Sequence, residues 1–310
     1  MNDMVYKVLF VGVGSIARRH IKNLHAIEND SLHFEIDAVR RTAAPSEGVN
    51  KIYQNADDVP NDYDIIFITN PTEYHLSALN HYHEKGKNFF IEKPVVSINQ
   101  LEDVRKTVLK DDAVYYVAFP LRYNAVIQYI KSNIDPSDVI SIRSISSSYL
   151  PDWRPGQDYR LTYSAHKSLG GGVSIDLIHE WDYLTYLFGW PSKVFNLIGK
   201  KSDLEIDSDD YAVYIAEFND KIVELHLDYF GRETIREIQL FTKEETIIGD
   251  IANNQITFMK SGQTIQFKEE RDDYQKRELI YFINLVKKEN GLMDYFTHAI
   301  KVLKLTQGIV

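Results

Sequence analysis

Three groups of residues in this 310-residue chain have the types and spacing for chemistry. The first is Gly12-Val13-Gly14-Ser15-Ile16-Ala17, a G-x-G-x-x-A run placed after the apolar run Val8–Val11 and before a helical pattern. Gly12 permits a tight turn, Gly14 lets backbone amides approach a pyrophosphate, and Ala17 lets the helix pack closely on its strand. The second is Glu92-Lys93-Pro94, directly after the strand-like Asn88–Ile91. Ligands bind at the carboxyl edge of an open parallel sheet, so Lys93 is a candidate proton donor or acceptor there. The third is Gly170-Gly171-Gly172, which precedes a helical stretch carrying Asp176 and His179. Positions i and i+3 share a helix face, and a histidine near neutral pKa can exchange a proton with a hydroxyl or carbonyl oxygen. Its structural alternative is a core histidine satisfied by Asp176.

Other chemistries are excluded by what the sequence lacks. With no cysteine there is no disulfide, thiolate metal site or cysteine nucleophile. His179-Glu180-Trp181-Asp182-Tyr183 puts a tyrosine where a zinc H-E-x-x-H motif needs its second histidine, so no metal is expected. No P-loop run occurs. The formal charge of −10 argues against nucleic acid and anionic membrane as partners. No stretch approaches the about 20 apolar residues of a membrane span, and Val8–Val11 is too short for a secretory core. A soluble, cytoplasmic protein is expected.

The elements that must position these residues change character along the chain. Up to Pro120, short apolar runs (Val8–Val11, Phe34–Val39, Ile65–Ile68, Asn88–Ile91, Val114–Ala118) alternate with helical patterns, including Thr72–His83 and one marked by Leu101, Val104 and Val108. That alternation predicts parallel strands with crossover helices. Beyond Pro120 comes one helix (Ala125 to Ile134), then successive strands: Val139–Tyr149, Val194–Ile198, Tyr211–Phe218, Ile222–Tyr229, Ile235–Thr242, Thr246–Ile248, Ile256–Met259 and Thr264–Phe267. Asn219-Asp220 between two alternating runs signals a hairpin. A single helix is predicted over Val173–Leu187, and two more over Tyr274–Lys288 and Met293–Leu305. The fold class is therefore α/β followed by α+β: an N-terminal Rossmann domain over 1–120, then a domain over 121–310 built on a large, mostly antiparallel open sheet.

The ordered set Gly12–Ala17, Thr69-Asn70-Pro71 with His75, Glu92-Lys93-Pro94 and G-G-G-x-x-x-D-x-x-H ending at His179 resembles the glucose-fructose oxidoreductase / inositol dehydrogenase / rhizopine-catabolism family of NAD(P)-dependent oxidoreductases. The resemblance covers nearly the whole chain. It implies an active site between the domains, with Lys93 near the nicotinamide and the reacting carbon. His179 would be acid or base, and Asp176 would orient substrate or histidine. Thr69, Asn70, His75 and Glu92 would line the cofactor alongside Gly12, Gly14, Ser15, Ile16 and Ala17. It also implies a homo-oligomer, dimer or tetramer, formed through the C-terminal sheet.

At the tip of the second strand, where an NAD-preferring protein carries an acid, the chain reads Val39-Arg40-Arg41-Thr42. Guanidinium forks suit a 2′-phosphate, so NADP is favoured over NAD. Arg18 and Arg19 add to the same basic region. The loop Pro151-Asp152-Trp153-Arg154-Pro155-Gly156-Gln157-Asp158-Tyr159-Arg160, continuing to Tyr163, is dense in groups that recognise sugars or anions. Trp153, Arg154, Tyr159 and Tyr163, with Arg122 and Tyr123, are the candidate substrate contacts, and Arg154 and Arg160 would suit a phosphate or carboxylate on the substrate. The alternative is a loop packed on its own aromatics. Strand tyrosines such as Tyr211, Tyr214 and Tyr229 are explained by β propensity.

Hydride transfer from a C–H leaves an O–H proton that Lys93 or His179 must accept. The function expected is an oxidoreductase acting on a hydroxyl or carbonyl carbon of a sugar, cyclitol or nucleotide-sugar. Two others fit the same framework: a non-catalytic dinucleotide-binding regulator, and a reductase of a non-sugar carbonyl, imine or diol.

Overall fold

A computed structural model describes residues 4–288 and 294–310. It divides into two units, Met1–Ala118 with Arg271–Ile300, and Phe119–Glu270 with Lys301–Val310.

In chain order, the first unit holds β1 (Met4–Val11), α1 (Ser15–Ala26), β2 (Leu32–Val39), β3 (Lys51–Tyr53), β4 (Tyr63–Ile68), α2 (His75–Tyr82), β5 (Gly86–Ile91), α3 (Leu101–Val104) and β6 (Tyr115–Val117). Its six strands lie in the order β3-β2-β1-β4-β5-β6, all parallel. That order reverses direction beside β1, which creates the crevice where dinucleotides bind in such sheets. Strands covered on both faces must be apolar throughout, and Val8–Phe10, Ile65–Ile68 and Phe89–Ile91 are fully buried or nearly so. Phe10, Phe67 and Phe90 stack across β1, β4 and β5 at 4.5 and 4.7 Å between ring centres.

The second unit holds α4 (Ala125–Asn133), β7 (Val139–Ser147), α5 (Val173–Asp176), α6 (His179–Phe188), β8 (Lys193–Gly199), β9 (Tyr211–Glu217), β10 (Ile222–Asp228), β11 (Ile235–Thr242), β12 (Thr246–Asp250), β13 (Gln255–Phe258) and β14 (Thr264–Gln266). The eight strands run β14-β13-β12-β11-β7-β10-β9-β8. Every pair is antiparallel except β7 with β10. One face takes the helices: Trp181 of α6 packs edge-on to Tyr214 at 5.2 Å, and Tyr183 and Ser144 share a 2.6 Å hydroxyl bond. The other face leaves Phe195, Leu197, Ile215 and Ile222 exposed.

The structure departs from the sequence reading at the C-terminal helices and at the helix before α6. The expected second domain, 121–310, is interrupted: α7 (Arg271–Lys288) belongs to the first unit because Leu279, Phe282, Ile283 and Val286 complete the core around Phe90 and Tyr116. The last helix, α8, is Tyr295–Leu305, and its expected start at Met293 lies outside the described residues. The helix expected over Val173–Leu187 is two pieces, because Leu177 (φ −98°, ψ 31°) leaves the helical path between α5 and α6. Asp176 therefore ends one helix and His179 begins the next, rather than sharing a helix face.

Candidate functional site

The glycine turn is built for close approach. Gly12 has φ +88°, and a Cβ there would come within 2.9 Å of the Asn70 backbone. Thr69 reinforces the contact, its hydroxyl lying 2.8 Å from Gly12 O and 3.2 Å from Val11 O. Ala17 is fully buried on the inner face of α1. The residues fit a dinucleotide on three observations. The α1 N-terminus has no side-chain cap and no acid in its first turn, a Cβ on Gly14 would meet nothing within 4 Å, and the buried Asn70 Oδ1 has no partner among the described residues. Ser15 and Ile16 open α1 beside this turn.

Arg40 and Arg41 stand at the tip of β2, next to the turn through the Gly12 N–H bond to Val39 O. Arg40 makes a 3.4 Å bond to Ala44 O, and Arg41 is exposed. Asp37, the nearest acid, lies within the strand and accepts the Tyr63 hydroxyl at 2.7 Å. Arg19 instead reaches toward Asp272 of α7, at 3.6 Å.

At the carboxyl edge of β5 the Glu92-Lys93-Pro94 turn is braced by two buried histidines. His20 of α1 is 1 % exposed, packs against the stacked Phe67 and Phe90 rings at 5.8 and 5.1 Å, and sets Nε2 2.6 Å from Glu92 Oε1. Burial alone would raise the Glu92 carboxyl, but the His20 bond and charge, with Lys93 and His75, outweigh it and hold the group below the usual carboxylate range. His75 is 2 % exposed, with Nδ1 3.0 Å from Pro94 O and Nε2 2.9 Å from Asn70 O. Burial pulls its pKa down against these two carbonyls. His75 and Glu92, expected to line the cofactor, have their polar atoms engaged in joining the Asn70 loop to the lysine turn. These contacts tie the Asn70 loop, the Lys93 turn and α1 together. No motif points to His20, although it sits one turn beyond Ala17 on the apolar face with Ile21 and Leu24.

In the second unit, His179 opens α6, with Phe119 edge-on to its ring at 6.2 Å. The rest of the first turn anchors this helix. Glu180, with no exposed surface, meets Arg236 of β11 at 2.7 Å, and Asp182 takes a two-pronged bond from Arg122 at 2.8 and 2.6 Å. Burial outweighs Arg236 and keeps the Glu180 carboxyl above its ordinary range. Arg122, a candidate substrate contact, thus has its fork committed to a buried structural pair. Tyr123 ends the same short turn, half-buried.

Asp176 is 5 % exposed and accepts two phenols at 2.6 Å, Tyr163 on Oδ1 and Tyr229 on Oδ2. Burial and the adjoining carboxylate push both hydroxyls well above the usual tyrosine pKa. Tyr229, which β propensity alone would explain, is thus bonded to a candidate site residue. The long loop folds into short 3-10 turns packed largely on themselves. The Trp153 indole N–H donates to Ser148 Oγ at 2.8 Å, the Tyr159 hydroxyl accepts the Glu205 N–H at 3.2 Å, and Arg160 pairs with Asp158 and Glu205. Arg160 therefore has its charge answered within the protein, while Arg154 lies over the Tyr163 ring at 5.8 Å. Among the described residues no group of three or more His, Asp or Glu could hold a metal ion, and no helix is long and apolar enough to cross a membrane.

Two family models match in succession along the chain. Residues 6–119 match the family model described as an oxidoreductase family with an NAD-binding Rossmann fold, and 131–309 match that family's C-terminal alpha/beta domain. The chain belongs to this oxidoreductase family. A relative within reach of sequence comparison is an inositol 2-dehydrogenase of Rhizobium meliloti (strain 1021), 23 % identical over 191 residues. That match takes in 60 % of this chain and 56 % of the relative, so it spans little more than half the relative's length. Among solved structures, a levoglucosan dehydrogenase in complex with NADH superposes with TM-score 0.84 at 16 % identity, over 99 % of this chain and 96 % of that one. A myo-inositol 2-dehydrogenase from Lactobacillus plantarum gives 0.77 at 18 %, over 98 % and 96 %. At such identities the structural likeness establishes the family fold.

Proposed function

We propose that this protein is an NAD(P)-dependent dehydrogenase or reductase acting on a CH–OH or carbonyl carbon of a sugar, cyclitol or nucleotide-sugar. The observation that carries the reading is the bracing of Lys93. Two buried histidines, His20 and His75, hold the turn on either side of it, whereas a module that only binds a dinucleotide needs the glycine turn and no fixed lysine. The inositol and levoglucosan dehydrogenases among its relatives support a polyol as substrate.

Gly12 to Ala17 and the α1 N-terminus would hold the pyrophosphate, and Thr69, Asn70 and Lys93 the nicotinamide end. When bound, the nicotinamide supplies a two-electron carrier that takes or gives a hydride. The chain's own residues must handle the accompanying proton. Lys93 and His179 are the two groups proposed for it, and Asp176 serves as an oriented acceptor. Such proton handling contributes about 10²–10⁴-fold to rate.

NADP is the favoured form, because two arginines and no free acid stand at the tip of β2. We also place a second copy of the chain against the outer face of the C-terminal sheet, where Phe195 and Ile215 are directly paired across β8 and β9 and both are exposed. Reduction of NAD⁺ or NADP⁺, followed at 340 nm over a polyol panel, tests the activity; a folded protein inert toward every polyol and sugar in the panel would refute it.

A further inference from the structure

The two oxygens of Asp176 are each taken by a different tyrosine from a different part of the second unit. Tyr163 opens a short turn in the long loop, and Tyr229 lies just past the end of β10. Both distances, 2.6 Å, fall in the range of O–H bonds to an ionised acceptor. Neither tyrosine is loosely placed. The Tyr229 N–H donates to Asp210 O at 2.9 Å, and the Trp153 ring stands edge-on to the phenol at 5.2 Å. The turn beyond Tyr229 is tied by Asp228, whose Oδ1 accepts from Phe230 N, Gly231 N and Ser147 Oγ at 3.1, 2.7 and 2.9 Å. A Cβ on Gly231 would come within 1.9 Å of Ser147 Oγ, so a larger residue there would have to displace the hydroxyl that bonds Asp228. Tyr163 keeps 39 % of its surface exposed, but its hydroxyl end reaches the buried carboxylate, and Arg154 lies over its ring.

A carboxylate with one phenol on each oxygen cannot rotate about its last bond without breaking both contacts. We infer that Tyr163 and Tyr229 are positioning residues for the proposed reaction: acting through Asp176, they fix its carboxylate as an oriented hydrogen-bond acceptor for a substrate hydroxyl. The inference rests on the oxidoreductase reading. It also gives the long loop a purpose different from direct substrate contact, because Trp153, Arg154 and Tyr163 then build the acceptor from behind.

The test uses the full chain with NAD⁺ and NADP⁺, and with myo-inositol and levoglucosan as probes. Tyr229→Phe and Tyr163→Phe keep the ring and remove only the hydroxyl. Each is expected to lower kcat/KM for the polyol by about tenfold or more, with thermal melting and the Kd of the reduced cofactor close to wild type. In an Asp176→Asn background, adding Tyr229→Phe should change kcat/KM less than about twofold, because the route through the carboxylate is already lost. Rates within twofold of wild type in both folded phenylalanine variants, or the same fold-loss in the Asp176→Asn background as in wild type, would overturn the inference and leave the oxidoreductase reading standing. If the wild type oxidises neither probe, whichever panel polyol it turns over takes their place, and a folded wild type inert toward the whole panel removes both readings together. If one phenylalanine variant does not fold, the other decides, since each hydroxyl serves a separate oxygen.

Discussion

His20 and Glu92 meet at 2.6 Å, Nε2 to Oε1, although 72 residues separate them in the chain. The pair joins the helix after the glycine turn to the turn that carries Lys93, so the two ends of the cofactor region share one buried contact. Glu92 in turn lies 3.3 Å from the Lys93 backbone N–H through Oε2.

Removing one partner of a buried pair strands the other. His20→Ala should cost about 3 kcal/mol in urea unfolding and open a space beside the stacked Phe67 and Phe90 rings. The pH dependence has a definite sign. Glu92 is held below its ordinary value, so the stability it contributes is present above pH 4.5 and is lost as the pH falls through its folded value. In His20→Ala the acid-unfolding midpoint should move to higher pH. An unchanged midpoint would mean that His20 does not hold Glu92 ionised.

Gly12→Ala places a methyl 2.9 Å from the Asn70 backbone at φ +88°, where a side chain is strained. The variant should lose at least about tenfold in NADH and NADPH affinity, measured by fluorescence, because the turn and the Asn70 loop must part to admit it. Wild-type affinity would show that this approach is not needed for the cofactor.

Cofactor choice turns on Arg40 and Arg41. The account predicts tighter binding of NADPH than of NADH, and an Arg40→Ala/Arg41→Ala double variant that loses the preference while keeping NADH affinity. Tighter binding of NADH by wild type contradicts it.

Leu197 is 64 % exposed on the outer face of the second sheet. If a copy of the chain covers that face, Leu197→Asp should shift light-scattering mass toward the monomer without lowering the helix and strand signal in circular dichroism. A wild type already monomeric at tens of micromolar would refute the arrangement.

Much of this was legible from the residues. Runs such as Ile65–Ile68, bounded by Asn70-Pro71, can only be buried strands, and Ile235–Thr242 was placed to the residue. Short elements were not. The three residues of β3 carry too little pattern, and α3 stops at Val104 because Val108, 78 % exposed, has nothing to pack against. The return of α7 to the first core was hidden because Leu279, Phe282, Ile283 and Val286 announce an apolar helix face but not which sheet it covers. In the site, the glycine turn and Lys93 could be read from local sequence. Tyr229 could not: its hydroxyl finds Asp176 across 53 residues, and only the packing of β10 on the loop brings them together.

The measurement that bears most directly on the central claim compares wild type with Lys93→Met, following cofactor reduction at 340 nm with NAD⁺ or NADP⁺ and a polyol panel that includes myo-inositol, and checking cofactor affinity alongside. The account predicts turnover by the wild type and a loss of about 10²-fold or more in kcat for Lys93→Met, with cofactor binding largely kept. Full turnover by the methionine variant, or no turnover of any polyol by a folded wild type that binds the cofactor, would contradict it.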